Sequence, residues 1–218
     1  MKVNFKMWSE NKKHHLGRNI VNDHGSEIRI KAELFTLEQM DIHGEKLARA
    51  HKISADKRPY SLLKQLAYNE SQLTQSCGLL SSSDQESMTP AALWLLENFY
   101  LIEEHIRLVR QLLPPDFGKG LPALVGERHT PRIYDIANEM IMHSDGHWDV
   151  PRLSAFISAY QRITPLTLGE LWALPGMLRL ALIDNLRHVS TQVADFHQQR
   201  HLAGQWVAKM LHCAQSQP

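Results

Sequence analysis

Apolar residues recur at three- and four-residue intervals along most of this chain. Strand-like alternation is nearly absent, so the pattern predicts an all-α fold. In "TLEQMDIHGEKLARAHKI", Leu37, Met40, Leu47 and Ala48 fall at helical spacing behind Thr36, a suitable N-cap. Leu62, Leu63, Leu66, Leu73 and Leu80 form a second stripe with Gly78 near its end, and "SSSDQES" is a loop by composition. "TPAALWLLENFYLIEEHIRLVRQLLPP" is the clearest helix: Thr89 caps it, Pro90 takes the first helical position, and Pro114-Pro115 stops it. Its apolar residues surround much of the helix, which predicts a central place in the fold. "DFGKGLPALVGERHTPR" is a loop, followed by a helix from Pro131 through Ile133, Ile136, Met140 and Ile141. Another helix begins near Asp149 with Leu153, Phe156, Ile157 and Tyr160. The last segment opens on a T-x-x-E capping box, Thr167 and Glu170, and Pro175-Gly176 is expected to kink or divide its helix. The whole predicts a compact domain of about six to eight helices over residues 28–218. Residues 1–27 are expected to be a flexible polar tail, and "EIRIKAELFT" to hold a short extended piece.

Composition narrows the function classes. The 218 residues carry a formal charge of +1, so no global field draws the chain to nucleic acid or anionic lipid. Two cysteines, Cys77 and Cys213, give no disulfide framework and suit a reducing compartment. The most apolar stretch, "LWALPGMLRLALI", is too short to span a bilayer and is interrupted by Pro175-Gly176 and Arg179. A cytoplasmic chain is expected, placed at the inner face of a membrane only through a partner.

Candidate chemistry centres on "HSDGHWD", residues 143–149. His143, Asp145, His147 and Asp149 resemble a ligand set, but Gly146 falls between the histidines where a helix would end. Capping accounts for most of the stretch. His143 sits in a last turn, where the helix dipole favours a cation, Trp148 folds back on the cap, and Asp149 caps the next helix. Asp145, His147 and Trp148 are left as a candidate contact surface. His197 and His201 are four apart but supply only two ligands, so an exposed polar face is expected there. Glu97, Glu103 and Glu104 are expected to pair with Arg107, Arg110 or arginines of neighbouring helices, because the Glu-x-x-His of di-iron bundles occurs nowhere in the chain. G-x-S-x-G, G-x-x-x-x-G-K-[ST], G-x-G-x-x-G and C-x-x-C are absent as well. The residues therefore point to no catalytic group, no metal site and no cofactor.

Longer stretches carry more. "IRIKAELFT", "TPAALWLLENFYLIEEHIRLVRQLLPPDFGKGLPAL", "RIYDIANEMIMHSDGHWD" and "LSAFISAYQRITPLTLGELWALPGMLRLALIDNLRHV" follow one another in order. Together they resemble the N-terminal region of cyclic β-1,2-glucan synthases of the glycosyltransferase 84 type, over about residues 28 to 190. The resemblance implies a soluble helical segment ahead of a UDP-glucose-dependent transferase domain, itself without a catalytic motif. The Asp-x-Asp and Gln-x-x-Arg-Trp elements of such transferases are absent here. What transfers is membership of the module, carried by Trp94, Glu97, Asn98, Phe99, Glu103, Glu104, Glu170, Trp172, Arg179, Asn185 and Arg187. The expectation is a non-catalytic docking or regulatory module whose partners are the remaining domains of such a synthase. The alternative is a module that binds carbohydrate or a UDP-sugar through exposed tryptophans such as Trp148 or Trp206.

Overall fold

The computed structural model describes residues 35–55, 61–82, 88–114, 117–126, 129–144 and 149–215. Among them are seven α-helices, one short 3-10 turn and no strand, as the periodicity predicts. The helices are α1 (Leu37–Ala50), α2 (Leu62–Ser81), α3 (Pro90–Glu97), α4 (Phe99–Leu112), α5 (Arg132–Ser144), α6 (Val150–Ile163) and α7 (Leu168–Gln215). The proposed tail and nearly all of "EIRIKAELFT" lie outside the described residues.

Helix starts follow the local chemistry closely. Thr36 and Gln39 form a reciprocal capping box on α1: Thr36 Oγ1 accepts from Gln39 N–H (3.2 Å), and Gln39 Oε1 accepts from Thr36 N–H (2.8 Å). Thr89 accepts from Ala92 N–H ahead of Pro90. Asp149 accepts from Arg152 N–H at 2.9 Å and opens α6. Thr167 and Glu170 close a second reciprocal box at the head of α7, with Thr167 N–H donating to Glu170 Oε2 and Glu170 N–H to Thr167 Oγ1.

Two expectations need correction, for the helix from Pro90 and for Pro175-Gly176. The helix from Pro90 is broken at Asn98, because the Asn98 side-chain amide donates to the Trp94 carbonyl (2.8 Å) and its backbone leaves helical geometry at φ −108°, ψ 10°. Nor is that helix the centre. α7 packs against α2, α3, α4 and α5, and its Met177, Leu178, Leu180 and Ala181 are almost wholly buried. Secondly, Pro175-Gly176 does not divide α7, which runs unbroken for 48 residues. A proline removes only one backbone hydrogen bond, and buried Ala173, Leu174, Met177 and Leu178 hold both sides of it in the core. The passage is close at Gly176, where a Cβ would lie 2.9 Å from Leu113 Cδ2 and that side chain would have to shift. The loop after α4 is held against the rest of the fold. Ser54 N–H donates to Ala123 O (2.8 Å) and Val125 N–H to Lys52 O (2.9 Å), so the loop is pinned to the chain that leaves α1.

The tightest helix pair is α1 against α6. Gly44 sits directly on α6, where a Cβ would come within 2.7 Å of Phe156 O and 3.0 Å of Ala159 Cβ. Met40, Phe156, Tyr160, Ile133, Ile136 and Met140 join this pair to the common core.

Candidate functional site

α5 carries two kinds of face. Ile133, Ile136, Ala137, Met140 and Ile141 are buried in the core. Arg132, Asp135, Glu139 and His143 recur every three or four residues, so they form one polar stripe along the helix. Each of the four meets a partner.

At the start of the stripe, Arg132 donates from Nε to Glu170 Oε1 (2.8 Å) and from Nη2 to Glu170 Oε2 (2.6 Å), a two-pronged pair with both side chains buried. Nη2 also donates to Pro165 O at 3.1 Å, and the guanidinium lies 5.9 Å from the centre of the Tyr160 ring. Burial alone would lower the Arg132 pKa, but Glu170 outweighs it and the pKa is raised, so the cation is held. One turn on, His51 Nε2 donates to Asp135 Oδ2 (3.0 Å), which leaves Nδ1 to accept from the Tyr160 hydroxyl (2.8 Å). Burial pushes the Tyr160 phenol up to about 12 against the opposing pull of Arg132, so it stays protonated and can donate.

At the far end lies the third contact. His43 Nε2 of α1 is 2.9 Å from Glu139 Oε2, and His143 Nε2 is 3.4 Å from the same oxygen. Burial would raise the Glu139 carboxyl, yet hydrogen bonds from His143 and His43 bring it down to about 2. Phe35 covers the group: its ring stacks on His143 at 3.9 Å and 10°, and meets His43 edge-on at 5.2 Å. Phe35 N–H also donates to His143 O at 3.1 Å. The donor atoms of His43, Glu139 and His143 all lie within 4.8 Å of one another, a set that could hold a metal ion. Sequence reading had His143 but not its companions. The signal was Glu139-x-x-x-His143 on one helical face; His43, 96 residues before Glu139, could be found only from the fold.

The expected contact residues Asp145, His147 and Trp148 lie outside the described residues, while His143 and Asp149 on either side play the helix-end roles expected of them. The residues of the resembled module scatter. Glu97, Glu103 and Glu104 are exposed and make no ion pair among the described residues; Arg110 reaches Glu70 of α2 instead. Asn98 sets the α3–α4 break, and Phe99 packs against the core. Glu170 is the buried partner of Arg132. Arg179 donates to Pro175 O, Asn185 is exposed, and Arg187 donates to Asn69 Oδ1 (2.9 Å) and lies over the Tyr68 ring. Trp172 is 77% exposed and Trp94 is 37% exposed. His197 and His201 also differ from expectation: His197 is buried and His201 exposed, at the rim of a shallow 320 Å³ cavity with Arg200, Gly204 and Gln205.

A second feature is the far half of α7. Beyond His197, residues 198–214 are all exposed. Leu202, Trp206 and Met210 recur every four residues there, with Val207 and Leu211 beside them, so a bare helix shows an apolar face to solvent. No helix among the described residues is long and apolar enough to cross a membrane.

The chain is 39% identical over 108 residues, about half its length (49%), to the cyclic beta-(1,2)-glucan synthase NdvB of Rhizobium meliloti (strain 1021), and is related to that part of it. It is also 40% identical over 67 residues to a homoserine kinase of Methylobacillus glycogenes. The matches span 4% of the synthase and 20% of the kinase. No protein-family model matches the chain.

Proposed function

We propose that this chain is a helical docking module of a cyclic β-1,2-glucan synthase-like protein, and that its partners are the remaining domains of such a synthase. The observation that carries the reading is the overhang of α7, whose Leu202, Trp206, Val207, Met210 and Leu211 are each roughly half to two-thirds exposed (48–67%) on one helix, with no other described helix packed over them. Amphipathic helices of this kind bury their apolar face in a partner's groove, and a central tryptophan is the usual energetic anchor. The relationship to part of a glucan synthase supports the choice of that protein's other domains as the partner. Residues 28–218 form the module in this reading.

The test is co-elution of the purified chain with the other domains of a cyclic glucan synthase, followed by calorimetric titration. Association is expected, and Trp206→Ser with Met210→Ser should weaken it at least about tenfold. No association at tens of micromolar, or glucosyl transfer from UDP-glucose by the chain alone, refutes the reading. Exposed Trp172 and Trp206 support a second reading, a carbohydrate- or UDP-sugar-binding module. It predicts a saturable change in tryptophan fluorescence with glucan oligomers or UDP-glucose, and a flat response at millimolar ligand rejects it.

A further inference from the structure

We propose that His43, Glu139 and His143 form a zinc-binding site that staples α1 to α5. Two imidazoles and one carboxylate are a donor set that zinc accepts, commonly with water in the fourth position. Zinc bonds of about 2.0–2.2 Å place neighbouring donors of a tetrahedron about 3.3–3.5 Å apart. Glu139 Oε2 already stands 2.9 Å from one Nε2 and 3.4 Å from the other. A cation therefore needs adjustments of only a few tenths of an ångström on the carboxylate's two flanks, while the two imidazole nitrogens, within 4.8 Å of each other, close toward it.

Three further observations favour a built site over a chance meeting of side chains. Glu139 and His143 are one turn apart on α5, so helical geometry fixes two of the three donors relative to each other. The third, His43, lies next to Gly44, the residue that lets α1 sit directly on α6, so its backbone is fixed by close packing. Phe35 lies flat on one imidazole and edge-on to the other, while Phe156 approaches His43 at 5.9 Å, so both rings are held in their present orientations. All three side chains are 13–19% exposed, open enough for an ion to enter. The same two-histidine, one-carboxylate set also suits ferrous iron, so the titration compares the two metals.

The experiment uses the full chain purified without a histidine tag, stripped with chelator, and titrated with zinc and with ferrous iron by calorimetry and with cobalt(II) by visible absorption. Binding of one zinc per chain is expected, with the intense visible bands of tetrahedral cobalt(II) and a rise of several degrees in the thermal midpoint at saturating zinc. Glu139→Gln and His143→Asn should each weaken zinc binding about a hundredfold or more while far-ultraviolet circular dichroism of the metal-free variants stays helical. His201→Asn, on the distant half of α7, should leave binding unchanged and serves as the control. Three results overturn the proposal: millimolar or weaker zinc binding, affinity that survives Glu139→Gln and His143→Asn together, or tight ferrous iron with no zinc. None of these bears on the docking reading, which concerns another part of the molecule.

Discussion

The buried Arg132–Glu170 pair makes the sharpest stability prediction. Glu170→Ala removes the acceptor of two guanidinium N–H groups and of the Thr167 N–H, leaving the Arg132 guanidinium the Pro165 carbonyl and the Tyr160 ring among the described residues. A charge left unpaired in a protein interior costs about 3–5 kcal/mol. Loss of the capping box at the head of α7 adds about 1 kcal/mol, so the total expected destabilisation is about 4–6 kcal/mol. In urea, with a slope of about 2.5 kcal/mol per molar, the midpoint should fall by about 2 M at unchanged slope. Arg132→Met combined with Glu170→Leu removes both charges and fills the space, so it should lie within about 2 kcal/mol of the parent, because an apolar pair can replace a buried ion pair at little cost. Urea unfolding followed by circular dichroism at 222 nm compares the three proteins. A loss below about 1 kcal/mol for Glu170→Ala, or a double variant no more stable than that single one, refutes the view that pairing holds the charge in place.

Three further outcomes test the packing and the ionisable groups. Gly44→Ala drives a Cβ against the backbone oxygen of Phe156, whereas Gly176→Ala meets only the side chain of Leu113 and gains helix propensity. The first should cost about 2–3 kcal/mol and the second about 1 or less, so thermal melts in the reverse order would contradict the close α1–α6 approach. Asp184 is a partly buried carboxyl whose pKa burial would raise, but His188 and Arg187 bring it below the ordinary value of 3.8. A lowered folded pKa adds stability that is fully present above the unfolded value and is lost as pH falls through and below it; Asp184→Asn should flatten that part of the acid limb in urea titrations below pH 5, and an unchanged acid limb counts against the ion pairs. Cys77 is buried, with its thiol pushed up to about 11, while Cys213 is exposed. A disulfide reagent at pH 7 should therefore consume one thiol quickly in the native protein and the second only on unfolding, and two fast thiols would mean α2 is not packed as described.

What was legible in the sequence was local. Thr36, Thr89, Asp149 and the Thr167–Glu170 box announce their helices, because a side-chain oxygen answering a backbone N–H three residues on needs nothing from the rest of the fold. The misreadings came where tertiary contact overrides a local rule. Pro175 ends most helices, but here the core on both sides carries α7 through it. The apolar run from Pro90 looked central, yet Asn98 breaks it and leaves Trp94 and Tyr100 at the surface. The same holds for the site. His143 was marked as a helix-end residue, which it is, but its meeting with His43 depends on α1 packing beside α5, and no spacing in the sequence carries that. The stripe Arg132, Asp135, Glu139, His143 has a helical period in the sequence, but the period alone does not say which partners the stripe meets.

The length of α7 also makes it a lever. At 1.5 Å per residue its 48 residues span about 72 Å, and the exposed end beyond His197 extends about 25 Å past the last buried turn. A tilt of about 10° at the buried end sweeps the tip through about 4–5 Å over that arm, enough to seat a tryptophan in a groove or withdraw it. The first turn of the same rod carries Glu170, so that end is anchored by the buried pair with Arg132 while the Trp206 end stands clear of the core.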